Sequence, residues 1–196
     1  GRALADSLSV KLAAVVLGHG IERAALQSLI EAGADVVYVA DSGHLADFTC
    51  ESYARVLVSL IEEHKPQVMI AGATTTGRTL MPYVAVQVHA GLTADCTELA
   101  IEEGTGNLLQ TRPAIGGNIM ATIVCPNHRP QMATVRPGVM ERAALCGNTT
   151  GEIVRVEPNL TPDKIRTRVV KIVKSEKPLA ALEDAKVIVS GGRGLG

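Results

Sequence analysis

The sequence has no tryptophan, three tyrosines and one phenylalanine. A protein that grips single-stranded nucleic acid stacks bases on aromatic rings, and this one has too few. A basic surplus is also missing: 19 basic residues stand against 20 acidic ones, for a formal net charge of -1. No positive field exists to hold a polyanion, so nucleic acid is set aside as a partner. No apolar run reaches the ~18 residues that a membrane helix needs, so membrane insertion is not expected. The first residues, Gly1, Arg2, Ala3, Leu4, Ala5 and Asp6, lack the basic-then-apolar order of a secretory leader. Close cysteine pairs are absent, because Cys50, Cys96, Cys125 and Cys146 lie far apart. That argues against a structural zinc or an iron–sulfur cluster. It suits buried thiols in a reducing compartment, and a cytoplasmic location is expected. Catalytic signatures are missing too: there is no G-x-S-x-G, no H-E-x-x-H and no P-loop lysine. His19, His44, His64, His89 and His128 are scattered and read as structural or exposed. Neither a catalytic side chain nor a metal ligand set is nominated.

What is present is a core. Hydrophobic residues make up 46% of the 196, enough for one full-sized domain or for one domain with a piece of another. Residues 1–8 read as the end of a helix, 9–18 and 34–40 as buried parallel strands, and 20–32 as a helix stopped by Gly33. Residues 44–64 are expected to form the clearest helix, with Tyr53, Val56, Leu57, Leu60 and Ile61 on one stripe and Pro66 beyond its end. A third strand over 67–71, a small-residue turn over 72–77 and a helix over 78–89 follow. This alternation implies a parallel sheet with helices on both faces. A helix at the start normally follows a strand, so a strand is expected upstream of Gly1; the other reading is a short, complete helix.

Beyond residue 93 the pattern turns to short β runs at 96–102, 107–113, 118–125 and 131–136, separated by glycine and proline turns. Hairpins or short loops are expected there. Further strands are expected at 152–157, 168–173 and 186–190, with a loop over 158–163 and a linker with a short helix over 174–184.

Three features invite a ligand. Gly191, Gly192, Arg193 and Gly194 follow a strand-like run, the way backbone N–H groups are brought to a phosphate. The bland alternative is a tight turn. The turn 72–77 offers three threonines and two glycines at a strand's carboxyl end. It reads either as a ligand contact or as a helix start capped by Thr76. Residues 107–140 contain no Asp or Glu but hold Arg112, Arg129 and Arg136. These arginines either pair with acids elsewhere in the chain or form a face toward an anionic cofactor or a partner subunit.

Taken together, several segments resemble the α subunit of electron transfer flavoproteins. The most specific is 108–140, LLQTRPAIGGNIMATIVCPNHRPQMATVRPGVM. GLTADCT at 91–97, the turn with Gly72, Gly77 and Arg78, and VSGGRGL at 189–195 fit as well. The wording is closest to bacterial members, and the resemblance runs along essentially the whole chain. It implies a three-layer, parallel-sheet domain of the adenine nucleotide α-hydrolase-like kind over 1–184, with an added β-rich section. Residues 185–196 would be the first strand and Gly-rich loop of a second, FAD-binding domain. The segment would be truncated at both ends, with Gly196 standing where the family usually has lysine. The resemblance further implies FAD in the full heterodimer and not on this segment alone, and a β subunit holding AMP or a second FAD. It also implies dehydrogenases such as acyl-CoA dehydrogenases as electron donors, and a quinone reductase or other acceptor. Thr111, Arg112, Gly116 and Gly117 would face the β-subunit flavin site. The rival expectation is an independent adenine-nucleotide-binding module built on the turn 72–77.

Overall fold

A computed structural model describes residues 1–114, 118–141, 143–144, 150–161, 165–173 and 185–195. The chain runs α1 (Arg2–Ser7), β1 (Ala13–Gly18), α2 (Arg23–Glu31), β2 (Val36–Asp41), α3 (Cys50–His64), β3 (Val68–Gly72) and α4 (Thr75–Gln87). It continues through β4 (Leu92–Cys96), β5 (Glu98–Ile101), β6 (Leu108–Pro113), β7 (Met120–Ile123), β8 (Gln131–Val135) and β9 (Glu152–Arg155). Two sheets are parallel, in the orders β1-β2-β9 and β3-β8-β4, and the third, β5-β6-β7, is antiparallel.

Helices form where the sequence spacing demands. In α3, Ala54, Leu57 and Ile61 fall on one stripe beside Val56 and Leu60, and all five are buried. The helix stops at Lys65, which takes a left-handed conformation with φ 46, one residue before Pro66. α2 ends two residues before Gly33, whose φ of 104 suits glycine. The apolar run of β2 and the mixed run of β8 are buried on both faces, as central parallel strands require.

The result is a three-layer α/β arrangement. The sheet β1-β2-β9 is covered by α2 on one face, through Leu26 and Ile30 on Val37 and Val39, and by α3 on the other, through Val56 and Leu60 on Ala40. Likewise β3-β8-β4 has α3 and α4 against Met69, Ala71 and Met132. Its opposite face meets Leu4 of α1 together with Leu99, Ile101 and Leu108 of the antiparallel sheet.

Several expectations are corrected. The parallel strands fall into two three-stranded sheets, not one. The helix expected over 44–64 is a single 3-10 turn, Gly43–Leu45, followed by α3. The run expected over 96–102 is divided between two strands: Cys96 ends β4, which is irregular at Asp95 with φ 62 and a register shift between Thr93 and Cys96, and β5 starts at Glu98. Hairpins do join β5, β6 and β7. However, β8 leaves that sheet and inserts between β3 and β4, where Met132, Ala133 and Thr134 are fully buried and the buried Gln131 accepts from the Leu108 N–H. Residues 168–173 and 186–190 form no strand: neither finds a ladder partner among the described residues, and Val170 and Val189 are 86% and 94% exposed. The linker expected over 174–184 lies outside the described residues.

Candidate functional site at the carboxyl edge of a parallel sheet

The carboxyl ends of β3, β4 and β8 gather one acid and three arginines. Thr74 caps α4, its side chain accepting from the Gly77 N–H at 3.2 Å. That orders the turn and lets Arg78, on the first turn of α4, donate from Nε to the Ala73 carbonyl at 2.9 Å. The Arg78 Nη2 then reaches the Asp95 carboxylate at 3.2 Å. Arg136, one residue past β8, donates to both Asp95 oxygens, from Nε at 3.2 Å and from Nη2 at 2.7 Å. This is the bidentate fork that a planar guanidinium offers a carboxylate. The Asp95 backbone is pinned as well, its N–H donating to Thr134 Oγ1 at 3.0 Å. Hydrogen bonding from Arg136 holds the Asp95 carboxyl below its usual value against the opposing effect of burial; Arg136, Arg78 and Arg112 add Coulomb attraction. Desolvation pushes the neighbouring Cys96 thiol up, so it is a buried apolar filler and not a nucleophile.

Arg112 completes the group. Strand alternation puts Leu108, Gln110 and Arg112 at the same parity of β6, and the first two are fully buried against the parallel sheet. Arg112 follows them to the end of the strand. It has no hydrogen-bond or ion-pair partner among the described residues, although its charge acts on both Asp95 and Cys96. Arg78 and Arg136 thus share the Asp95 carboxylate while Arg112 acts on it through its charge, and among the described residues of this cluster positive charge exceeds negative by two. The residues therefore fit a phosphate-bearing or otherwise anionic group.

The other expected residues fare differently. Thr111 shares a 2.9 Å hydroxyl hydrogen bond with Thr122 of β7, and its carbonyl accepts from the Thr97 N–H, so it works inside the antiparallel sheet. Gly116 and Gly117 lie outside the described residues. Gly191, Gly192, Arg193 and Gly194 are exposed around a short 3-10 turn, Arg193–Leu195. No hydrogen bond among the described residues joins them to the arginine cluster. Arg129 is a clip: it donates to Gln67 Oε1, to Asn107 Oδ1 and to the carbonyls of Cys125, Pro126 and His128. The pairing reading of the arginines thus holds for Arg136, with Asp95 of its own chain, while Arg112 has no partner among the described residues. The helix cap is Thr74, not Thr76, because α4 starts three residues earlier than its apolar pattern indicates. Sequence reasoning missed Asp95. The signal was there: an acid-free stretch with three arginines needs a carboxylate from outside, and Asp95 closes a short apolar run.

Among the described residues no helix is long and apolar enough to cross a membrane, and no His, Cys, Asp or Glu group could hold a metal ion. The fold and the cationic sheet edge define an α/β domain of the nucleotide-binding-like kind. Residues 1–161 match the model of the electron transfer flavoprotein domain, and the chain belongs to that family. Along its whole length it is 49% identical to Protein FixB of Clostridium saccharobutylicum, covering 58% of that protein. It is 49% identical to the electron transfer flavoprotein subunit alpha of Thermoanaerobacterium thermosaccharolyticum, again over all of the chain and 58% of the relative. Against the acryloyl-CoA reductase electron transfer subunit beta of Anaerotignum propionicum, identity is 41% over all of the chain and 59% of the relative. The chain therefore spans less than two thirds of the length of these relatives.

Proposed function

We propose that the chain is the α-subunit part of a heterodimeric FAD-containing electron carrier, serving as scaffold and as docking face for the β subunit. In this reading the complete protein carries electrons from dehydrogenases, such as acyl-CoA dehydrogenases, to a quinone reductase or another acceptor in the cytoplasm. Residues 185–196 open the second domain, where Gly191, Gly192, Arg193 and Gly194 approach the FAD phosphates. When bound, flavin supplies the redox chemistry; the protein contributes position and electrostatics.

The observation that carries the reading is the free face of the antiparallel sheet. β7 is an edge strand with no lysine or proline to blunt it. Ile119, Met120, Ile123 and Val124 are exposed on and beside it, and Arg112, without a partner among the described residues, lies across from Ala121 of the same strand. An unprotected apolar edge beside an unneutralised cation suits a companion chain that brings both apolar surface and an anion. The family match and the subunit names of the relatives support the same partner.

The test uses the full-length protein and its cognate β subunit, with the dissociation constant read by calorimetry. Arg112→Ala and the pair Met120→Asp with Ile123→Asp are each expected to weaken the heterodimer by tenfold or more, while each variant keeps a wild-type circular dichroism spectrum. Unchanged affinity in both would reject this face as the docking surface.

A further inference from the structure

Two glutamines stand in the layer where the antiparallel sheet packs on β3-β8-β4. Gln110 of β6 and Gln131 of β8 are both 0% exposed. Gln131 shares one parity of β8 with Ala133, and Gln110 shares one parity of β6 with Leu108. Ala133 and Leu108 belong to one packed cluster with Cys96, so both glutamines face into the same layer. The Gln131 side chain crosses it, its Oε1 accepting from the Leu108 N–H at 2.8 Å. That bond also fixes the orientation of the amide. Its oxygen faces Leu108, and its Nε2 remains a buried donor without a partner among the described residues. On Gln110 neither Nε2 nor Oε1 has a partner among them. The neighbouring side chains supply none: Leu108 and Ala133 are apolar, and the Cys96 thiol donates to the Thr93 carbonyl. Buried polar atoms of this kind are normally satisfied, by protein or by ordered water.

We infer that this layer is an internal hydration site, in which a pair of ordered waters links Gln131 of β8 to Gln110 of β6. Two donors and one acceptor are open, a set that water, with two protons and two lone pairs, can complete. One water accepts from Gln131 Nε2 and donates to Gln110 Oε1. The other accepts from Gln110 Nε2 and donates to the first. The reach agrees. Gln110 lies two residues beyond Leu108, about 7 Å along the strand. Two polar atoms bridged by one water stand about 5.5–6 Å apart, and a glutamine side chain covers the remainder. A direct bond between the two amides is the competing arrangement. It would satisfy Gln131 Nε2 and Gln110 Oε1 but leave Gln110 Nε2 bare. An unsatisfied buried amide costs more than one neutral hydrogen bond returns, so the hydrated arrangement is favoured. The waters give β6 a second polar tie to β8, next to the bond at Leu108. The sheet that carries Arg112 is then held on the interior by hydrogen bonds as well as by apolar contact.

High-resolution crystals of the full-length protein test this, together with oxygen-17 relaxation dispersion, which counts waters held inside a protein in solution. Water density is expected at about 2.7–3.2 Å from both Gln131 Nε2 and Gln110 Oε1. Gln110→Met keeps the length of the side chain and removes its polar atoms, and is expected to hold fewer long-lived waters than the wild type. A dry layer overturns the inference, whether the two amides bond to each other or Gln110 turns to a backbone group. An equal count of long-lived waters in the folded variant also overturns it. Should the variant fail to fold, the wild-type density decides alone.

Discussion

The two kinds of sheet in this chain differ in how they end. The strands β3, β8 and β4 form an interior sheet with helices on one face and a second sheet on the other, and Met132, Ala133 and Thr134 of β8 have no solvent exposure. The sheet β5-β6-β7 is packed on one face only and finishes in an exposed apolar strand. The first is built for stability, and the second presents a surface. A residue type does not decide which role it plays. Met132 and Met120 are both strand methionines, yet one is enclosed and the other is 54% exposed.

Substitution separates the two roles. Met132→Ala removes a fully buried side chain that touches α3 and α4, and is expected to cost about 2–5 kcal/mol in urea unfolding. Gly77→Ala is next. A Cβ there would lie 1.9 Å from the Gly72 carbonyl oxygen, a rigid backbone atom, so the turn must open at a cost of about 1–3 kcal/mol. Asp95→Asn acts on the sheet edge and not on the interior. The folded Asp95 carboxyl is depressed, so its contribution is fully present at neutral pH. That contribution is lost as pH falls from the ordinary value of 3.8 toward the lower folded value. The Asn variant should therefore be less stable at pH 7 but show a shallower acid limb in a pH series of melting temperatures. Met120→Ala closes the series with a change within about 0.5 kcal/mol, as befits an exposed site. A large loss of stability there would mean that β7 is part of the interior after all.

The helices were the most legible part of the chain, because α3 writes its stripe with Ala54, Leu57 and Ile61 and its stop with Lys65 and Pro66. Parallel strands were nearly as clear, since Val36, Val37 and Val39 form an unbroken apolar run. The irregularity at Asp95, inside β4, was not. A left-handed aspartate looks like any other in one dimension, and here it is held by Arg78, Arg136 and Thr134, which stand 17, 41 and 39 residues away. The location of β8 was hidden for the same reason. Gln131, Met132, Ala133 and Thr134 suit either a hairpin arm or a central strand, and only the partners on each side decide. Of the site, the arginines were visible in their acid-free setting, but which of them is occupied was not. Arg129 and Arg136 both precede a proline in similar surroundings; one clips loops together and the other clamps Asp95.

The place of β8 has a consequence during synthesis. It lies between β3 and β4, yet it leaves the ribosome after both, with 34 residues separating Cys96 from Gln131. At a translation rate of about 5–20 residues per second, β4 waits roughly 2–7 seconds for the strand that joins it to β3, and β3 waits longer. During that interval their apolar edges are open to neighbouring nascent chains, and the hairpin β5-β6-β7, complete within one local stretch, is the structure that can already stand guard over them.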